Sequence, residues 1–210
     1  MQQKPYHHGN LRNTLIEAGI ALLNEQGQQH FSLRKVAAKC GVSHAAPYSH
    51  FENKEALMEA MKEYVTKQFV EVLEKTVQQY KNDIDIMFYL GNTYISFFIE
   101  HKQYFTFLYG KSGIQFDFTE NGILQSNYTP CSIFKKAAFD FMEKIKYPPQ
   151  KRLDTLIAMI ALVHGITAML TTQQIAYEGD YKNLLKNSIF ANALFADAVT
   201  KQKQKRGEVL

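Results

Sequence analysis

Five of the seven histidines, His7, His8, His30, His44 and His50, lie in the first 50 residues. Imidazoles gathered in this way can hold a metal ion or can offer hydrogen bonds at a contact surface. Their spacing gives no tidy i,i+4 pair on one helix, so a polar contact surface is favoured over a metal site, and no metal or cofactor is expected. The two cysteines, Cys40 and Cys131, are far apart and form no CxxC pair. That excludes a disulfide framework and a zinc finger, and it suits a reducing cytoplasm. Cys131 has no evident activator, and Cys40 falls on the apolar face of its helix, which weakens a redox-sensing reading. There is no nucleophile elbow, P-loop, GxGxxG or HExxH, so the chain is not expected to be an enzyme.

A second group of residues could bind a small molecule. Of the tyrosines and phenylalanines, 27 in all, eleven fall between Phe88 and Phe118. Such a stretch can line an apolar cavity and leave a few hydroxyls to orient a ligand. Tyr94, Phe97, Phe98, Phe105 and Tyr109 are the candidates, with plain core packing as the alternative for each. His164 is a polar group within an apolar run. It is a further ligand candidate, although a core histidine bonded to a backbone carbonyl is the favoured role.

The elements that position these residues are helical. The chain has 210 residues, 46% of them hydrophobic, with only 11 Gly and 5 Pro, which supports a packed core and few turns. A net charge of +4 permits nucleic-acid binding without arguing for it. No signal sequence is evident. The apolar run from Leu156 to Leu170 contains His164 and Thr167 and is shorter than the roughly 20 residues of a membrane span. A buried helix in a cytoplasmic protein, with no membrane partner, is the reading.

Hydrophobic spacing then predicts an all-α chain of about nine helices. The first starts after Asn10 as N-cap, carries Leu11, Leu15, Ala18 and Leu22 on one stripe, and stops at Gly27. Ser32 opens a second, bearing Leu33, Val36, Ala37 and Cys40, which Gly41 ends. After the two-residue link Gly41-Val42, Ser43 opens a third that runs to His50. Two short helices across so tight a glycine-containing turn mark a helix-turn-helix. Pro47 removes one helical hydrogen bond, so the third helix must be short. Asn53 caps a long fourth helix whose apolar stripe, Leu57, Met61, Val65, Phe69 and Leu73, reaches on to Thr76 and Tyr80. Helices are further predicted over 86–100, 103–109, 130–146, 150–176 and 181–201, with an irregular segment over 110–129. Domains at 1–53 and 54–210 follow from this division.

The string from Phe31 to Leu57, FSLRKVAAKCGVSHAAPYSHFENKEAL, resembles the DNA-binding core of TetR-family regulators, and Tyr6-His7-His8-Gly9-Asn10-Leu11-Arg12 resembles the start of that family. His44-Ala45-Ala46-Pro47-Tyr48 and Val163-His164-Gly165 resemble the subgroup with a WHG-type C-terminal domain, with Ile160 where that subgroup has a tryptophan. The resemblance implies an N-terminal three-helix helix-turn-helix domain and a larger C-terminal helical domain for ligand binding and dimerisation. It also implies that residues from Ser43 to His50 enter the major groove of operator DNA. Ser43 and His44 would bond to bases or phosphates, and Ala45 and Ala46 would meet thymine methyls. Tyr48 and Lys54 would hold phosphates, with Ser32, Arg34 and His50 as further backbone contacts. A homodimer through the last two long helices would present two such units to double-stranded DNA. A small-molecule effector would release it. An activating or redox-responsive regulator of the same fold, or a helical protein-interaction module without DNA binding, are the alternatives.

Overall fold

The structure, a computed structural model, describes residues 11–111 and 128–187. These contain α1 (Leu11–Gln26), α2 (Leu33–Cys40), α3 (Lys54–Tyr80), α4 (Ile86–Glu100), α5 (Lys102–Gly110), α6 (Thr129–Lys144) and α7 (Arg152–Thr171). A further helix occupies 181–187, and no strand occurs among the described residues. The expected cap Asn10, most of the 110–129 segment and the far part of the last helix lie outside them.

The helix starts obey the capping rule. Ser32 accepts a hydrogen bond from the Lys35 backbone N–H at 3.3 Å, and Asn53 accepts one from that of Ala56 at 2.8 Å. Each such cap stabilises its helix by about 1 kcal/mol. Gly41 ends α2 in the left-handed conformation at φ 68, where a side chain would be strained. The backbone N–H groups of Gly41 and Val42 then bond back to Ala38 and Ala37, both at 3.1 Å, which satisfies the free carbonyls of the helix end.

The expected third helix is not an α-helix. Its only regular portion is a 3-10 turn over Ala46–Ser49, and that turn has no side-chain cap. Ser43 contributes its carbonyl, accepting from the Ala46 N–H at 3.0 Å, so its predicted capping role does not hold. The cause is Pro47, which has no N–H to bond back to Ser43 and leaves the segment to tighten into i→i+3 bonds.

α3 is the axis of the molecule. Leu57, Met61, Val65, Phe69 and Leu73 are all buried along one face, one helical turn apart. The first half of this face meets α1, and the second half meets α4 and α6. The core therefore continues from Leu15 and Ile16 of α1 to Phe98 of α4 and Phe107 of α5. Thr76, near the end of the stripe, is satisfied by the Val72 carbonyl at 2.9 Å and the Thr93 hydroxyl at 2.8 Å.

α7 ends at Thr171, earlier than the predicted Ala176. The hydroxyls of Thr171 and Thr172 bond back to the Thr167 and Ala168 carbonyls at 2.7 and 2.6 Å, and Gln173 takes a left-handed φ of 56. With its preceding turn this is the one helix among the described residues long and apolar enough to cross a membrane by length and composition: Pro149–Thr171, 23 residues. Its inner face packs against α4, α5 and α6.

Candidate nucleic-acid interface and ligand cavity

The segment after α2 is held by two buried side chains. Pro47 and Phe51 enter the core, and the Arg12 guanidinium lies 5.4 Å from the Phe51 ring centroid. With these as anchors, most side chains before and between them are exposed. Ser43, His44, Ala45 and His50 are exposed, Ala46 is half-buried, and Tyr48 is 53% exposed. A large aromatic at that exposure is not a core residue. The sequence alternatives of packing for Phe51 and contact for Tyr48 are thus separated.

Charge is arranged around this projection. From Ser32 to Phe51 the sequence has no acidic residue. Lys35 and Lys39 are directed back to α1, bonding Gln26 at 3.1 Å and Glu25 at 2.8 Å. Those contacts fix α2 against α1. Arg34 is exposed and forms no ion pair among the described residues. Ser32 is half-buried at the start of α2. Lys54, in the first turn of α3, donates to the Gln28 carbonyl at 3.0 Å and lies 5.7 Å from the Phe31 ring centroid. An ammonium has three donors, so the one spent on Gln28 positions the group and leaves two to share. The N-terminal ends of α2 and α3 add their partial positive charge, which favours anions there.

The second site is a cavity of about 250 Å³ between α3, α4, α6 and α7. Phe69, Met87, Tyr94, Tyr109, Tyr128, Cys131, Phe134 and Met159 are among its walls. Of the six ligand candidates from the sequence, Tyr94 and Tyr109 line it. Phe97 and Phe98 instead pack on Phe69 at 5.0 and 4.9 Å between ring centroids, and Phe105 packs on Phe98 at 5.4 Å. His164 is behind the wall. Its Nδ1 is 2.8 Å from the Tyr94 hydroxyl, and its ring lies against Tyr109 and Phe105. Sequence reasoning missed Tyr128, Phe134 and Met159, which lie outside the aromatic-rich stretch, and Met87, which lies on α4 beside it but is not aromatic.

Burial decides the protonation of these groups. Tyr94 and Tyr109 have pKa values held well above the usual phenol value, chiefly because burial penalises the phenolate. Burial lowers that of His164, favouring the neutral ring. The Cys131 thiol is pushed up to about 12 by the same cause, and burial outweighs nearby Lys39 in raising that of Cys40. Both cysteines are therefore poorer thiolates than a free one.

The two sites share an element. α5 places Tyr109 in the cavity wall, while its other side holds α1. There the Tyr104 hydroxyl donates to Glu17, and the Gln103 carbonyl accepts from the Asn24 side chain at 2.8 Å.

Comparison with known proteins follows the same division. Residues 15–61 match the family described as bacterial regulatory proteins, tetR family. The tetracycline repressor protein class A from transposon 1721 of Escherichia coli is 47% identical over 51 residues, which cover 24% of this chain and 24% of that protein. The chain thus spans about a quarter of the length of that curated relative. Solved structures extend the likeness of fold to most of the chain. A TetR-like transcriptional regulator from Rhodococcus sp. RHA1 has a TM-score of 0.66 at 16% identity, covering 91% of this chain and 99% of that one. The fatty acid degradation regulator FadR from Bacillus halodurans has a TM-score of 0.63 at 16% identity, covering 87% and 94%. Residues 15–61 are thus similar in sequence to the TetR family of bacterial regulatory proteins, and the likeness of the rest of the chain to such regulators is one of fold.

Proposed function

We propose that the chain is a homodimeric, sequence-specific DNA-binding transcriptional regulator, a repressor released from a palindromic operator by a small apolar or aromatic ligand. The observation that carries this reading is the exposed segment from Ser43 to His50, free of acidic residues and set between two helix N-termini. Ser43, His44, Ala45 and Ala46 would read base edges, while Ser32, Arg34, Tyr48, His50 and Lys54 would hold the phosphates. Residues 1–53 would form the DNA-binding domain and 54–210 the ligand and dimerisation domain.

Two half-sites need two copies. α7 supports this, because only 17% of its most apolar window is buried within one chain. Ala158, Ala161 and Met169 are exposed on it, and a Cβ placed on Gly165 meets nothing within 4 Å. A second copy of the same face, together with the last helix, would cover this apolar surface and let the backbones approach closely. For release, α5 supplies a route: a ligand that moves Tyr109 acts on the helix that also holds α1 through Tyr104 and Gln103. Ligand would then favour a conformer in which the two projecting segments no longer match adjacent grooves. The raised thiol pKa values of Cys40 and Cys131 speak against the redox-responsive alternative.

Band-shift titrations against duplexes that the protein itself selects test the reading. Tyr48→Phe and Lys54→Ala should each weaken binding by about tenfold on every sequence, and Lys54→Ala should lower the salt slope by about 1. His44→Ala should also change which sequences are preferred. Full affinity in both phosphate variants would remove their assigned roles.

A further inference from the structure

We infer that the cavity between α3, α4, α6 and α7 takes an uncharged, single-ring aromatic molecule with one hydroxyl or carbonyl group, anchored by the hydroxyls of Tyr94, Tyr109 and Tyr128. This rests on the ligand-release reading above and narrows its ligand to a chemical class. Three observations lead to it.

The first is charge. Among the described lining residues there is no Lys, Arg, His, Asp or Glu. A carboxylate or ammonium brought there would lose its hydration without gaining an opposite charge, a cost that buried ions do not recover without a partner. The second is the placement of polar atoms. The Tyr109 and Tyr128 hydroxyls lie 3.4 Å apart, and that of Tyr94 is 2.8 Å from His164 Nδ1. Phenol hydroxyls both donate and accept, so this group can rotate its protons to suit either a hydroxyl or a carbonyl. Because burial keeps all three phenols protonated, the anchor itself is neutral.

The third is size and wall chemistry. An apolar cavity of about 150 Å³ accepts benzene, so the 250 Å³ here has room for one ring and a short substituent. Phe69, Phe134, Met87 and Met159 also line the cavity. Ring edges and thioether sulfurs are favourable contacts for another ring.

The test is calorimetric titration of the full chain with three probes of one size: benzyl alcohol, benzoate and toluene. Benzyl alcohol should bind about tenfold tighter than benzoate and about fivefold tighter than toluene. Tyr109→Phe should remove most of the alcohol's advantage over toluene while leaving toluene binding unchanged, and Tyr128→Phe serves if the first variant does not fold. Benzoate binding as tightly as benzyl alcohol, or no binding by any probe at millimolar concentration, would overturn the inference. The same probes added to the protein on its selected duplex separate the two claims. Benzyl alcohol binding as expected without releasing the DNA would leave the ligand class standing and sink the release reading. Release by benzoate alone would do the reverse.

Discussion

The segment from Ser32 to Lys54 and the cavity region around Phe69 solve opposite problems. The first must hold polar side chains out in water at fixed positions, on little core of its own. It does so by local devices: two side-chain caps, one left-handed glycine, and two buried anchors in Pro47 and Phe51. The second buries nearly everything. Phe69 is fully enclosed among Tyr94, Phe97 and Phe98, and the polar atoms nearby bond to one another. On the proposed reading, a site for a rigid duplex would be made by short-range rules, and a site for a small molecule would be what remains unfilled when long-range packing is complete. Likeness to relatives divides in the same way: sequence identity is high over the first region, and only the fold extends to the second.

This contrast can be broken by measuring what each region loses. Phe69→Ala should cost the most, about 3–5 kcal/mol in urea denaturation, since it opens a void at the centre of the core. A loss below about 1 kcal/mol would mean the cavity region is loosely packed. Gly41→Val should cost about 1–2 kcal/mol by placing a branched side chain at a left-handed position. It should also weaken DNA binding beyond that loss, because the turn aims the segment after it. Asn53→Ala removes one cap and should cost about 1 kcal/mol, read as a shift of the urea midpoint.

The smallest effect concerns pH. The folded state lowers the His164 pKa, so the unfolded chain binds this proton more readily. Its contribution is intact above the unfolded value of about 6.5 and is lost as pH falls from there through the folded value. His164→Gln should flatten that part of the stability–pH curve. An unchanged curve would place the acid sensitivity elsewhere.

The sequence makes much of this legible, but unevenly. The limits of α2 and the start and buried face of α3 follow from Ser32, Gly41, Asn53 and the Leu57–Leu73 stripe, since caps, stops and one-turn periodicity are local signals. Pro47 warned that the third helix would be short, yet its conversion to a 3-10 turn depends on how Pro47 and Phe51 seat in the core. The exposure of Tyr48 against the burial of Phe51 could not be read from two aromatics three residues apart. In the cavity region, aromatic density found Tyr94 and Tyr109 but not which ring faces the void. Phe97, Phe98 and Phe105 went to the core around Phe69, and much of the rest of the wall came from α6 and α7, outside the aromatic-rich stretch. Tertiary contacts of that range leave no periodic trace.

The most direct test of the central claim is to let the purified full-length protein select duplexes from a random pool. Two exposed segments presented by a symmetric dimer should enrich an inverted repeat, its half-site centres about 34 Å or a multiple of that apart. Enrichment of no shared motif, with only weak and sequence-blind retention, would contradict it.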